Sequence, residues 1–183
     1  MLCSLAAGWL AAPVGAAAGD LVASDPYVVI AGFLHAFPSY VEWPTNVPAT
    51  NPPPWRLGVV GDDPFGDSLA DIFDNHPVRG RQFEIIHAAR AEDLPPCDIV
   101  YIGSKDIKQV KQSLAMLAAR PVLTVSEADD FLELGGIVEL HQGPTVRFSI
   151  DLDNARAAGL KIPAGMLEVA AKVVENGRTI KKE

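Results

Sequence analysis

Apolar residues recur at helical spacing through residues 27–41, YVVIAGFLHAFPSYV, at Ile30, Phe33, Leu34, Phe37, Tyr40 and Val41. Asp25 supplies an N-cap and Pro26 a first helical residue, so a helix is predicted to start there. Pro38 should kink or shorten it, and Glu42-Trp43-Pro44 closes it. Residues 44–54 follow as a loop rich in Pro, Thr and Asn, with Pro52-Pro53-Pro54 as a stiff spacer.

A strand–helix rhythm comes next. Trp55–Gly61 (WRLGVVG) reads as a strand, and Asp62-Asp63-Pro64 as the cap of a helix reaching about Asn75. A strand is predicted at Phe83–His87. The run Asp98–Gly103 (DIVYIG) is nearly all apolar, the mark of a strand buried on both faces. Residues 105–118 carry Ile107, Val110, Leu114 and Leu117 on one helical face. A strand at Val122–Val125 follows. Ser126 with Asp129 then predicts a capped short helix, Glu127–Leu134, ended by Gly135-Gly136. Alternation changes the period again: Ile137–Leu140 and Thr145–Ile150 form a predicted hairpin around His141-Gln142-Gly143-Pro144. The last predicted helix is Ala164 to about Glu175. The sum is a single α/β domain, a mostly parallel mixed sheet with helices on both faces and an antiparallel hairpin towards the C-terminus.

Composition narrows the partners. The 183 residues carry a net charge of -8, with 49% hydrophobic and 21% charged positions. That suits one globular domain and disfavours nucleic acid or an anionic lipid surface. Arg178, Lys181 and Lys182 form the only basic run, read as a solvated tail. Residues 1–18 carry no charge and end Ala16-Ala17-Ala18 before Gly19-Asp20, which predicts a signal peptide cut after Ala18 or Ala16. No Lys or Arg precedes Arg56, so the usual basic start is missing. The other reading of this stretch is a buried N-terminal helix. Export would leave residues 19–183 as the domain, with its core over about 27–175. Cys97 would then be the one cysteine left, and its place before Ile99-Val100-Tyr101-Ile102 predicts burial.

Candidate chemistry is sparse. Gly61-Asp62-Asp63-Pro64-Phe65-Gly66 follows a first strand, where open α/β sheets bind ligands, yet it lacks the dinucleotide spacing. A cap and turn explain these residues fully and are the favoured reading. A small-ligand cleft, if present, would lie near Asp62, Asp63, Ser104 and Ser126. His35, His76, His87 and His141 show no metal-ligand spacing, and no nucleophile elbow occurs. Neither a catalytic residue, a metal nor a cofactor is expected. Aromatic residues stand out instead. Phe37, Tyr40 and Trp43, with Glu42 and Pro44, form a candidate partner-binding surface beside the proline-rich loop. Core packing is the alternative use of such residues.

The series Phe33-Leu34-His35-Ala36-Phe37, Tyr40-Val41-Glu42-Trp43-Pro44 and Val59-Val60-Gly61-Asp62-Asp63-Pro64-Phe65-Gly66 resembles the YfiR/HmsC-like family of bacterial periplasmic proteins. Val78-Arg79-Gly80-Arg81, Cys97-Asp98-Ile99-Val100-Tyr101-Ile102-Gly103 and Val146-Arg147-Phe148-Ser149-Ile150-Asp151-Leu152 continue the likeness, which covers about residues 27–175. The resemblance implies a periplasmic repressor that binds the periplasmic part of an inner-membrane diguanylate cyclase or sensor and so limits cyclic di-GMP and biofilm. It implies an OmpA-like outer-membrane lipoprotein as a second partner, a homodimer, and no catalytic residues. It also implies paired cysteines, of which Cys97 matches one, whereas the mature chain has no second.

Overall fold

The computed structural model describes residues 25–44, 52–118 and 120–181. The predicted signal segment, residues 1–18, lies outside them. Helix α1 spans Pro26–Tyr40, and the Asp25 carboxylate accepts from the Tyr27 amide at 2.9 Å. Pro38 falls in the last turn, where it removes the amide that would bond to the Leu34 carbonyl, and the helix ends two residues later. Strand β1 is Trp55–Val60, α2 Ser68–Phe73, β2 Phe83–Ala88, β3 Ile99–Ile102 and α3 Ile107–Leu117. Then come β4 Leu123–Ser126, β5 Val138–His141, β6 Arg147–Asp151, α4 Leu152–Ala157, α5 Ala164–Val169, β7 Lys172–Glu175 and β8 Arg178–Lys181.

The eight strands form one sheet in the order β2-β1-β3-β4-β5-β6-β7-β8. The first five are parallel. β6 runs antiparallel to β5, β7 parallel to β6, and β8 antiparallel to β7. The chain leaves β1 towards one edge and returns on its other side as β3, so the strand order reverses between them. Leu57, Val59, Ile99, Tyr101, Leu123 and Val125 point into the core on one face, beneath α1, α2, α4 and α5. Val60, Val100 and Ile102 point to the other, beneath α3. All four residues of β3 are buried, as its apolar run predicts. Helix α1 contributes Ile30, Leu34 and Phe37, each worth roughly 1.5–3 kcal/mol on burial.

Four expectations are corrected. Residues 127–134 form turns, not a helix. The Ser126 hydroxyl does accept from the Ala128 amide at 3.1 Å, but Asp130 turns left-handed at φ 57°, which breaks helical progression. The helix expected from Pro64 to Asn75 is only α2. Asp63 turns the chain locally by accepting from the Phe65 amide at 2.9 Å, and Gly66 at φ 53° delays the helix. The last helix stops at Val169, and Lys172–Glu175 is a strand. Asn176 and Gly177, at φ 53° and 67°, make the two-residue turn that joins it to β8. Arg178–Lys181 is thus an edge strand, not a loose tail. The hairpin is held from α4: the Asp153 carboxylate accepts the amides of Asn176 (3.1 Å) and Gly177 (2.9 Å). Helix α4 itself was not foreseen. Asp151 caps it, accepting from the Asn154 amide at 2.8 Å.

The β1 exit crosses close over the end of β3, and a Cβ at Gly103 would overlap the Asp62 carbonyl oxygen. Gly103→Ala should therefore cost about 1–3 kcal/mol or more, since backbone must move. At Gly58 the nearest obstacle is the flexible tip of Leu94 at 2.7 Å, so Gly58→Ala should cost less. Urea midpoints of the two variants test this order.

Candidate functional site

At the amino ends of β1 and β3 the chain builds a layered aromatic platform. Trp55 opens β1, and its indole donates to the Val78 carbonyl at 2.9 Å. The Arg81 guanidinium lies 3.5 Å above its ring, a contact worth about 2 kcal/mol when shielded from water. Arg81 donates through Nε to Pro53 (2.5 Å) and through a terminal nitrogen to Pro54 (3.0 Å). The proline segment is therefore tied down by a buried cation. Trp43 packs against Trp55 with ring centroids 5.1 Å apart, and its Nε1 donates to the Asp98 carbonyl at 3.2 Å.

Asp98 ties the layers to the sheet. Its carboxylate accepts from the Arg56 amide at 2.8 Å and lies 3.6 Å from Arg81. Burial lifts its carboxyl above the ordinary range, outweighing the Arg56 amide and the Arg81 charge. Burial likewise lowers Arg81, with Asp98 opposing. The turn Arg79-Gly80 has φ of 51° and 72° and sits between paired Val78 and Arg81. It aims Arg79 at the end of α1, where the guanidinium donates to the Ser39 carbonyl at 2.8 Å and the Val41 carbonyl at 3.4 Å. These are carbonyls a helix C-terminus leaves unpaired. Glu42 exchanges two backbone bonds of 3.0 Å with Lys161, fixing the exit from α1.

The five residues expected at a partner surface divide here. Phe37 is 2% exposed and packs on Phe33 and Phe148, so it belongs to the core. Tyr40 is 50% exposed. Glu42 and Pro44 are exposed and Trp43 is half-buried. Sequence reasoning met Trp55 as an aromatic opening a strand and Arg79, Arg81 and Asp98 only within the family likeness, and gave none of the four a role at this surface. For Arg79 and Arg81 the one local signal was the Arg-Gly pair placed just before a strand.

The four residues expected at a ligand cleft do not converge. Ser126 is fully enclosed, and its hydroxyl donates to the Ile102 carbonyl at 2.6 Å. The second oxygen of Asp63 lies 2.7 Å from His87 Nε2. Asp62 is exposed. Only Ser104 lines the cavity of about 620 Å3 at the carboxyl end of β1, together with Gly61, Arg90, Gln109 and Met116. Arg90 is already paired with Glu92 at 2.7 Å and Asp93 at 3.3 Å.

His141 stands 2.8 Å from the Ser149 hydroxyl and 3.6 Å from Glu139, the order of a hydrolase triad. Ser149 is 2% exposed in the middle of β6, which closes it to a substrate. His35 is wedged between Phe73 and Phe83, with its Nε2 2.8 Å from the His76 carbonyl. Cys97, expected to be buried, is only half-buried, because it lines a cleft of about 490 Å3 beside Trp43, Pro44, Arg81 and Arg120. Burial, then Asp98, pushes its thiol up to about 11.

Fold and site together define a doubly wound α/β domain whose polar groups serve to brace a surface at the amino ends of its strands. A family model described as YfiR/HmsC-like matches residues 27–171, and the chain belongs to that family. Among solved structures it is similar to a conserved domain protein from Vibrio cholerae O1 biovar El Tor strain N16961, with TM-score 0.55 and 13% identity. The match covers 82% of this chain and 60% of that one, so this chain spans less than two thirds of that protein's length. At that identity the likeness is one of fold.

Two measurements follow from the platform. Arg81→Lys keeps the charge but loses the planar fork, and should lower stability by about 1–2 kcal/mol in a urea titration. For Cys97, a thiol raised to about 11 from 9.0 should react with iodoacetamide at pH 8 about a hundredfold more slowly than in the urea-unfolded chain. The unfolded thiol ionises first, so stability should fall as pH rises from about 9 towards 11.

Proposed function

We propose that this protein is a periplasmic regulator of cyclic di-GMP signalling. It represses an inner-membrane diguanylate cyclase by binding its periplasmic part. Family membership over residues 27–171 supports the regulatory role. The observation that carries the binding mode is the exposed Tyr40, half-exposed Trp43 and exposed Pro44 on a braced scaffold. Rigid aromatic side chains with open faces lose little entropy when a partner covers them. Export of the chain by residues 1–18, capture by an OmpA-like outer-membrane lipoprotein and assembly as a homodimer belong to the same reading. So does the absence of catalysis: among the described residues the triad-like arrangement of His141, Ser149 and Glu139 is sealed within the sheet. Among the described residues no helix is long and apolar enough to cross a membrane.

A second reading rests on the cavity beside Ser104, whose size would suit a small ligand that feeds a signalling system. A thermal-shift screen separates the two, since a ligand that binds the folded state raises its melting temperature.

Capture of the cyclase's purified periplasmic domain tests the first reading. Tyr40→Ala should weaken it about tenfold with an unchanged melting curve, as an aromatic anchor does. Trp43→Ala should weaken it further and also loosen the Trp55 stack. Capture of both variants at the wild-type level, with normal melting curves, would sink the reading.

A further inference from the structure

The cleft beside Trp43 does not end at Cys97. It shares Leu117, Arg120 and Val122 with a groove of about 360 Å3 that runs on between α3 and α4. The two make one trough beneath the amino ends of β3, β4 and β5. Its floor is apolar: Leu114, Leu117, Val122 and Ile137 lie along it, and Ala118 and Ala157 leave the walls low. Lys111 and Arg120 stand on its rim, both exposed. Among the described residues neither forms an ion pair, whereas Arg56, Arg81, Arg90 and Arg156 all do. Asp98, the one acidic residue lining the trough among the described residues, is already engaged by Arg81 and the Arg56 amide. In a chain of net charge -8, this leaves a local cationic rim over an apolar floor.

We infer that this trough receives a segment of the cyclase's periplasmic part that carries apolar side chains flanked by carboxylates. The inference rests on the proposed regulatory reading and deepens it. Trp43 and Pro44, which line the trough, are then the entrance of a longer interface that includes the neighbouring Tyr40 on α1, and Lys111 and Arg120 set the charge of what enters. Charge complementarity selects an acidic segment, because unpaired cations attract carboxylates and an enclosed apolar floor strengthens that attraction. Cys97 lies along the path, so an occupied trough shields its thiol.

The test uses the full mature chain and the purified periplasmic domain of a membrane diguanylate cyclase from the same organism. The paired reversal Lys111→Glu with Arg120→Glu should weaken capture about tenfold or more, while Arg120→Lys should change it less than about threefold. Ala157→Trp, which blocks the trough from an exposed position without altering charge, should weaken capture to a similar degree. Bound cyclase domain should also slow alkylation of Cys97. If Tyr40→Ala weakens capture but the reversal and Ala157→Trp both bind like wild type, the trough is not the site and the inference falls, with the aromatic surface intact. If wild type captures nothing, both readings fall. If instead the chain dimerises and only its dimerisation responds to these variants, the trough holds a second copy and the inference falls.

Discussion

The constraint on which this structure turns is the burial of β3 and β4 on both faces. Every residue of Ile99–Ile102 and Leu123–Ser126 is enclosed, so a polar side chain is admitted only with a partner. Thr124 meets that condition by accepting from the Ile137 amide at 3.1 Å, and Ser126 by bonding to Ile102 and Ala128. Nothing chemical can be displayed from the middle of such a sheet. Accessible polar chemistry is displaced to the strand ends, and the two ends differ. The carboxyl end holds a cavity whose charges are paired among themselves. The amino end holds a stack of indoles and a guanidinium, with unpaired cations beyond it.

The platform explains the placement of α1. A helix closing on Pro38 would fray if its last carbonyls were left to water and its exit were free. Arg79 supplies donors to Ser39 and Val41, and the Glu42–Lys161 bridge fixes the next residue. Tyr40 and Trp43 therefore leave the helix in a set direction. Arg81 does the same for the proline segment. One two-residue turn, Arg79-Gly80, thus places two cations that hold two otherwise loose segments.

How far the sequence speaks depends on the range of the forces involved. Helix α1, strands β1 to β4 and the β5–β6 hairpin were legible because period and apolar runs report burial directly. The C-terminal hairpin was missed although Asn176-Gly177 is a strong turn signal, because apolar positions in 164–175 also fit a helix. The turns at 127–134 were missed because Ser126 satisfies a cap locally while the left-handed Asp130 answers to the wider structure. At the site, the exposure of Tyr40, Glu42 and Pro44 was legible from their place at a helix end, whereas Trp43 is half-buried because Trp55 and Asp98 hold it. Phe37 was not separable from them, since its burial is decided by Phe148, more than a hundred residues away. Arg81 and Asp98 pair across the fold, and no local pattern announces that.

The sheet has two unlike borders. At one, β8 presents the exposed Arg178, whose charge opposes pairing with a copy of itself. At the other, β2 (FEIIHA) is longer, half-apolar and carries no uncompensated cation. A contact of β2 with a second copy of itself would be self-matching and would close at two copies. The charge on β8 opposes continuation from the other border, so the sheet's edges disfavour a fibre.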